Sequence, residues 1–438
     1  MFWTITKREL LDCLMSLKFT LAMILCLGMT ILSFYVSLQD YERRLEEYQS
    51  CVRQQNGHAV SMNAIYRKPE MLSIFSQGLD KKIGMMIETR AHGGGYVTFV
   101  DTTGSYAGRQ QSHYLKSLAS VDFAFVVRVI FALLAIFFSY HLISGENEAG
   151  TLRLSLSNPI PRSVILFGKF CGGIIPLLIS LTISFLIGLL ILLLSPTVQF
   201  GNEEWIRMGM IYLASVLYLT CFFTLGILAS SLTKTSAISL LIGIVMWVCL
   251  IFIIPNLTVM LTAEVQPVPT EYEMEEKVNS LMDIMNKHLD RFFEAGFNED
   301  LGREIAYASG RVENLHNDYT NKLYNQATLT QRFSWISPAS VFNYAAAQLA
   351  RTNAGTYRNM LKRVRKYTDE FDKSQPFLFG GKHEEYLRIM KEADRSFDVR
   401  QPLDESLSLA MPNILILFLF TVLFFIAAYF VFLRYEVR

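Results

Sequence analysis

The chain contains 438 residues with a formal net charge of +1, and only 18% of its residues are Asp, Glu, Lys or Arg. Soluble domains average about 25% charged residues, and here the deficit is concentrated in long uncharged runs, so the composition indicates an integral membrane protein with polar inserts. The near-zero net charge argues against a nucleic-acid-binding protein, which would carry a basic surplus.

The N-terminal stretch "MFWTITKRELLDCLMSLKF" predicts an amphipathic helix over residues 1–18. Glu9 and Asp12 interrupt the part that would have to be apolar in a signal peptide, so that reading is not favoured. Of the six cysteines, only Cys51 falls in a polar insert, so the sequence predicts neither a disulfide nor a metal site of cysteines.

Six apolar segments are long enough to cross a bilayer, which takes about 20 residues of helix. The third is longer than one straight crossing requires, so we expect it to kink at Gly172, Gly173 or Pro176. The predicted transmembrane helices are residues 19–38, 121–143, 164–194, 206–229, 237–261 and 410–433.

The orientation follows from basic residues in short loops, which favour the cytoplasmic side. The one short loop on the opposite side is acidic at Glu203 and Glu204. We therefore expect both termini in the cytoplasm, with residues 434–438 as a tail. The basic residues that this assignment places inside are Lys7, Arg8, Lys18, Arg153, Arg162, Lys169, Lys234, Arg434 and Arg438.

Two polar inserts, residues 39–120 and 262–409, then lie outside. The first opens with a charged helix that continues span one, and "AHGGGYVTF" predicts a turn followed by a short strand. The second shows helical spacing, and its stretch "SPASVFNYAAAQLART" begins with a Ser–Pro helix start. The predicted fold is an all-α polytopic membrane protein with six transmembrane helices. A mainly helical extracytoplasmic domain with minor β structure is built from the two inserts, which pack together.

The loop "SGENEAGTLRLSLSNPIPRSVILFGK" separates spans two and three and is unusually specific in its residues. We expect Gly145 to end span two and "EAGTLRLSL" to form a short helix. A new helix should start with Asn158 as cap and Pro159 at its first position. The expected product, over residues 144–163, is a rigid helix parallel to the membrane with its charges facing the cytoplasm. The alternative is a plain turn whose arginines only extend to lipid headgroups.

This loop resembles the cytoplasmic loop of ABC transporter permeases of the export (type 2) class. An acidic residue, Gly-Thr-Leu, Leu-Ser-x-Pro, an arginine and Gly-Lys recur there in the order found here between Glu148 and Lys169. The N-terminal helix is also similar to that of the family. "KPEMLSIFSQGLD" and "WISPASVFNYAAAQLART" resemble segments of a subgroup with large outer inserts, related to the permease of nitrous-oxide-reductase maturation.

The resemblance implies a permease subunit whose loop docks on a separate cytosolic ABC ATPase, with spans two and three transmitting the movement. A second copy or a related permease would complete the complex in a bacterial inner membrane, and ATP and magnesium would sit on the ATPase. This chain would bind no cofactor or metal, and it lacks the G-x-x-x-x-G-K-[ST] motif of a nucleotide-hydrolysing subunit. The residues expected to couple the loop to the ATPase are Glu146, Glu148, Gly150, Thr151, Leu152, Arg153, Pro159, Arg162 and Lys169.

Other readings remain open at this point. Arg128 and His141 are ionisable residues within span two, where a functional role competes with simple extension to the interface. A receptor or scaffold whose outer domain binds a protein or lipid without transport is a second function, and a membrane enzyme is a third. The complex would either export a cargo or only move its outer domain against an extracytoplasmic protein or lipoprotein. The sequence does not identify the cargo.

Overall fold

Among the residues that the structure describes, six helices are long and apolar enough to cross a membrane, as predicted. The structure is a computed structural model that describes residues 2–54, 64–81, 86–89, 97–100, 121–152, 157, 161–295, 299–356, 358–360, 362–364, 366 and 401–434. Within this part of the chain the fold is that of an all-α polytopic membrane protein. We refer to the six helices as spans one to six, which are Phe19–Gln54, Phe123–Glu148, Arg162–Leu194, Asn202–Leu232, Ser236–Val265 and Leu403–Leu433.

The helix of span one, Leu17–Gln54, continues well beyond the apolar segment into insert one, as its charged extension predicted. Insert one also holds a three-stranded antiparallel sheet in the order β1-β2-β3, formed by Ala64–Tyr66, Met86–Thr89 and Val97–Val100. Tyr66 pairs with Met86, and Ile87 pairs with Phe99. Strand β3 follows directly after the glycine run, which confirms the short strand predicted there.

Asp80 is the charged centre of insert one. Its carboxylate is fully buried and forms ion pairs with Arg44, on the span-one helix, and with Arg67 at 2.7 Å. Burial alone would raise the pKa of Asp80, but the two guanidinium groups outweigh that effect, so the pKa lies below its usual value. The buried triad fixes the extension of span one against the rest of the insert.

Spans two and five each contain one π-helical turn, Val127–Phe131 and Cys249–Ile253. A π turn inserts one residue and leaves a backbone carbonyl without its regular helical donor. The indole Nε1 of Trp247 in span five donates to the carbonyl of Val129 in span two, at 3.3 Å. Span five is therefore hydrogen-bonded to the π turn of span two by a residue that lies two positions before its own π turn.

Span three is one continuous helix, Arg162–Leu194, with Pro176 inside it. Its glycines serve close packing between helices. A Cβ at Gly172 would lie 2.6 Å from the Cβ of Glu9, and one at Gly173 would lie 2.7 Å from Cζ of Phe223. The kink expected at these residues stays a prediction.

Insert two contains two long helices, Glu271–Ala295 and Glu299–Phe333, which pack against each other. A 3₁₀ turn, Ser334–Ile336, leads to a shorter helix, Pro338–Leu349. Ser337 caps that helix, and proline occupies its first position, as the Ser–Pro pair predicted.

Part of insert two descends among the spans. We call residues 326–349, which comprise the end of the second long helix, the 3₁₀ turn and the shorter helix, the inner hairpin. The hydroxyl of Ser337 donates to the carbonyl of Leu250, which lies at the middle of span five. The ring of Phe342 stacks on Tyr218 of span four at 4.6 Å. The expectation that residues 262–409 form a wholly outer insert therefore does not hold for the inner hairpin.

The two inserts meet at a cluster of charges around two buried arginines, which we call the insert junction: Glu70, Glu203, Glu204, Arg207 and Arg351. Arg351 is 3% exposed at its side chain and lies 2.7 Å from Glu203, 3.2 Å from Glu204 and 3.5 Å from Glu70. Arg207, fully buried on span four, donates to the backbone carbonyls at positions 349 and 401, at 3.1 and 2.9 Å. Residues of both inserts and of span four are thereby held in one network.

The contact between the inserts also involves backbone groups. The amide of Leu79 donates to the carbonyl of Thr352 at 2.8 Å, and the hydroxyl of Thr352 donates to the carbonyl of Ser76 at 3.0 Å. Gly78 lies between them with a φ of +48°, and a Cβ there would come within 2.5 Å of the carbonyl oxygen of Thr352. The inserts therefore pack together, as expected, through the two segments singled out in the sequence.

Candidate functional site: the loop between spans two and three

Span two ends in a broken helix. The regular helix Ala132–Ser139 stops, and a short helix, Ser144–Glu148, begins after four turn residues. The amides of Ile143 and Ser144 at the end of this break both donate to the hydroxyl of Ser230 on span four, at 3.0 Å each. Span four thus fixes the point from which the loop departs.

The glycine that ends the short helix is Gly150 and not Gly145. Gly150 has a φ of +71°, a conformation typical of a helix C-terminus, and its amide donates to the carbonyl of Asn147 at 3.1 Å. Gly145 lies inside the helix, where a Cβ would be 3.5 Å from the hydroxyl oxygen of Ser236. The expectation of a cap at Gly145 is therefore wrong, because the helix continues for one more turn against the start of span five.

Lys169 of span three lies at the centre of the site. Its Nζ is 2.5 Å from Oε1 of Glu9, on the N-terminal helix, and 2.7 Å from Oε1 of Glu146 in the loop. The Lys169 side chain is 4% exposed, and those of Glu9 and Glu146 are 18% and 25% exposed. Glu146 is therefore paired within the chain, and the expectation that the charges of residues 144–163 face the cytoplasm stays a prediction.

The N-terminal helix, Phe2–Leu14, brings Glu9 to this position by packing on span three. A Cβ at Gly168 would lie 3.0 Å from Ile5, so the glycine permits the close approach of the two helices. The hydroxyl of Thr6 also donates to the carbonyl of Gly168 at 3.4 Å. The first helix is therefore part of the loop site.

The start of span five is capped by the loop. The carboxylate of Glu148 accepts a hydrogen bond from the amide of Ser236 at 3.2 Å, and the side-chain amide of Asn147 donates to the carbonyl of Lys234 at 3.2 Å. A carboxylate at a helix N-terminus satisfies a free amide and complements the helix dipole. Glu148 and Asn147 therefore join the loop to span five.

Arg162 joins the loop to the end of span six. Its Nη1 donates to the carbonyl of Leu433 at 2.7 Å and to that of Phe432 at 3.2 Å. These carbonyls belong to the last turn of the helix, where a cation is favourable.

The other residues expected in the site divide into two groups. Thr151 donates its hydroxyl to the carbonyl of Glu146 at 3.3 Å, and Leu152 is fully buried. Arg153 and Pro159 lie outside the described residues, as does the helix start expected at Pro159. The helix of span three begins at Arg162.

Glu9 and Ser230 belong to the site, although the sequence analysis did not select them. A lysine near the end of an apolar segment needs a partner, and Glu9 is an acid on a helix predicted to lie beside the membrane. That pair could have been proposed from the sequence. Ser230 could not, because a serine within a span commonly bonds the carbonyl one turn before it.

Arg128 lies away from this network, whereas His141 adjoins it, because its carbonyl accepts a hydrogen bond from the amide of Gly145 at 2.9 Å. Arg128 lies in the π turn of span two, half-buried, with its guanidinium 5.8 Å from the ring of Phe125. His141 lies in the break of span two, with its ring 5.1 Å from that of Tyr140. Neither meets the loop charges in a described contact.

In the described part of the site, the charged side chains make contacts that join helices. The amine of Lys169, which follows Gly168, is paired with two carboxylates. Among the residues that the structure describes, no three His, Cys, Asp or Glu side chains come together as metal ligands. A displacement of the loop would act on the N-terminal helix and on spans three, five and six.

A six-span bundle whose loop joins several helices is the architecture of a transporter's membrane subunit, and the comparison with known families agrees. Residues 3–437 match the family described as ABC-2 family transporter protein. The match covers nearly the whole chain, so this protein belongs to that family and is a multi-pass membrane protein of the ABC permease type.

Among individual proteins, the chain is similar to the "Probable ABC transporter permease protein NosY" of Stutzerimonas stutzeri. The two are 31% identical over 153 residues, which is 34% of this chain and 53% of that protein. The chain thus spans about half the length of this curated relative.

Proposed function

We propose that this chain is the transmembrane subunit of an ABC transporter and that its 144–169 loop receives force from a separate cytosolic ATPase. ATP and magnesium would be bound by the ATPase, and hydrolysis would occur only in the complex. A second copy of the chain or a related permease would complete the membrane part. The force would drive either export of a cargo or movement of the inserts against an extracytoplasmic protein or lipoprotein.

The observation that carries the proposal is the number of helices that the short loop joins. Lys169 and Glu146 connect it to the N-terminal helix, Glu148 connects it to span five, and Arg162 connects it to span six. A plain turn between two spans needs none of these contacts. A loop that has to pass a displacement to several helices needs all of them.

The structure also supports the proposed orientation. The contacts of the loop place the N-terminal helix, the turn at Lys234 and the end of span six at one end of the bundle, where the basic residues Lys7, Arg8 and Arg434 also belong. Glu203 and Glu204 lie at the other end, with the inserts. This distribution favours a loop in the cytoplasm of a bacterial inner membrane.

The proposal is tested by purification from native lipid and by ATP hydrolysis. We expect an ABC ATPase to co-purify with the chain, and the combined changes Glu148→Ala, Arg153→Ala and Arg162→Ala to reduce ATP hydrolysis by the complex at least ten-fold. Asp12→Asn, an exposed acid on the N-terminal helix at the same end of the bundle, is the matched control and should leave hydrolysis unchanged. An ATPase that is never found with the chain, or hydrolysis unaffected by the triple change, would contradict the proposal.

Export and insert movement are then separated in reconstituted vesicles. Flux of a candidate cargo that depends on ATP supports export. ATP hydrolysis that alters the inserts while no cargo crosses supports a complex that only moves its outer part.

A further inference from the structure

Span five has contacts at both ends of the molecule. At the loop end its first amide is held by Glu148, and the helix lies close against Gly145. Only 17% of the residues in its apolar window are buried within the chain, against 67% in span four. Span five is therefore attached to the loop and only lightly packed against the remaining bundle.

Beyond its π turn, span five meets the inner hairpin through a row of hydroxyl groups. The hydroxyl oxygens of Thr262 and Thr330 are 2.8 Å apart, and those of Thr258 and Ser334 are 3.0 Å apart. Thr258 and Thr262 are four residues apart in span five, and Thr330 and Ser334 are four residues apart in the inner hairpin. The two pairs therefore lie one turn apart along the same interface. The hydrogen bond from Ser337 to the π turn extends this row to the middle of the span.

Each of the three threonine hydroxyls has a second acceptor within its own helix. Thr262 also donates to the carbonyl of Thr258 at 2.8 Å, Thr330 to that of Gln326 at 2.8 Å, and Thr258 to that of Pro255 at 2.8 Å. If span five shifts along the hairpin, each of these threonine hydroxyls can direct its single proton to the carbonyl of its own helix, so none of the three loses every partner. The interface is therefore able to slide.

The C-terminal end of the inner hairpin is followed directly by the insert junction. Its last helix ends at Leu349, whose carbonyl is held by Arg207, and Arg351 follows two residues later with its contacts to both inserts. A displacement of the hairpin would consequently reach the whole outer part.

From these contacts we propose that span five carries movement from the loop to the inserts, and that this movement requires a shift of span five against the inner hairpin at their hydroxyl row, which we call the sliding joint. This inference rests on the proposed function, because the driving force comes from the ATPase. It differs from the sequence-based expectation that spans two and three transmit the movement. The row of small hydroxylated side chains, in place of interlocking large apolar ones, is what such a joint requires.

The test is a reversible crosslink across the joint in the complex with its ATPase. In a background with the six native cysteines replaced, Thr258→Cys with Ser334→Cys forms one pair, and Thr262→Cys with Thr330→Cys forms an independent second pair. Single-cysteine variants are the controls. The measurements are ATP hydrolysis and the ATP-dependent change in amide hydrogen exchange at residues 64–81 and 330–352.

We expect each oxidised pair to keep the ATPase bound, to lose at least nine-tenths of the ATP-dependent exchange change in the inserts, and to regain it on reduction. Oxidised complexes that show the full change would overturn the inference and leave the proposed function standing. If instead no ATPase accompanies the uncrosslinked chain, the proposed function fails, and the inference fails with it.

Discussion

Two charged networks lie at opposite ends of the bundle, and they are built differently. At the insert junction, Arg207 and Arg351 are almost completely buried and hold backbone carbonyls as well as carboxylates. At the loop end, the single cation Lys169 faces Glu9 and Glu146, both partly exposed. The first network has many directional bonds, whereas the second has two contacts around one ammonium group.

The difference indicates what each end can do. A guanidinium presents its donors in a fixed plane, so two arginines bonded to several carbonyls lock the positions of the helices that carry them. An ammonium group is a point charge on a flexible stem, and it exchanges partners with little change in geometry. The junction is therefore a rigid frame for the inserts, and the loop end is a joint that can open. The four predictions that follow test this contrast, from the largest effect to the smallest.

Arg207→Met should destabilise the protein most, by about 4 kcal/mol, because it leaves two buried backbone carbonyls without their donor and removes one of the two cations of the insert junction. The measurement is thermal unfolding in detergent. Arg8→Ala is the control, since the Arg8 side chain is 79% exposed and its ion pair with Asp12 spans 3.8 Å; it should change stability by less than about 1 kcal/mol. Equal effects of the two changes would show that the junction is not a rigid frame.

Lys169→Met should lower the free energy of unfolding by less, about 2 kcal/mol, because Glu9 and Glu146 keep part of their hydration when the cation is lost. Adding Glu9→Gln should recover part of that loss, since it removes one of the two carboxylates left facing each other. Unfolding of both single variants and the double variant gives the coupling energy. Lys7→Met, an exposed lysine on the same N-terminal helix, is the control. Strictly additive effects of the Lys169 and Glu9 changes would contradict the pairing.

Gly172→Ala tests the packing that brings Glu9 to Lys169. The new Cβ would meet Glu9 at 2.6 Å and the backbone oxygen of Thr6 at 2.9 Å, so the N-terminal helix has to move, at about 1.5 kcal/mol. Gly209→Ala in span four has no neighbouring atom within 4 Å and should be neutral or slightly stabilising. If Gly172→Ala lowers the free energy of unfolding no more than Gly209→Ala does, the N-terminal helix does not contact span three closely at Gly172.

Gly150→Ala should have the smallest effect, about 1 kcal/mol, because the space around Gly150 is open and only its φ of +71° is unfavourable for alanine. Gly145→Ala serves as the comparison, because Gly145 lies inside the short helix and lacks a positive φ. It also has the side chains of His141 and Ser236 at ordinary contact distances or slightly closer. If Gly150→Ala leaves the free energy of unfolding unchanged, the positive φ of Gly150 is not what ends the short helix.

The sequence predicted the spans, because hydropathy is a local property. The charged extension of span one, the strand after the glycine run and the Ser–Pro helix start all follow from residues adjacent in the chain. The inner hairpin could not be predicted in the same way. Its residues 338–349 are apolar but too few to cross a membrane, and their position depends on contacts with Leu250 and Tyr218, which are about 90 and 120 residues away in the chain.

The same limit applies to the site. Glu148 and Arg162 stood out in the loop, but their partners, the start of span five and the end of span six, are distant in the sequence. For that reason the sequence did not predict that several charges of the loop hold other helices of this chain. Gly145 is expected to end span two because hydropathy places the boundary of the span beside it, and hydropathy does not detect one further helical turn of polar residues.

The contrast between a rigid junction and a mobile loop end is tested most directly by pulsed electron paramagnetic resonance distances in the complex with its ATPase. One spin-label pair, at Lys7 and Ala149, spans the contact between the N-terminal helix and the loop. A second pair, at Asn202 and Ala354, spans the insert junction. Between the nucleotide-free and ATP-trapped states, the Lys7–Ala149 distance should shift beyond the width of its nucleotide-free distribution, whereas the Asn202–Ala354 distance should stay within its own. A fixed first distance, or a second distance that shifts as far as the first, would contradict the account.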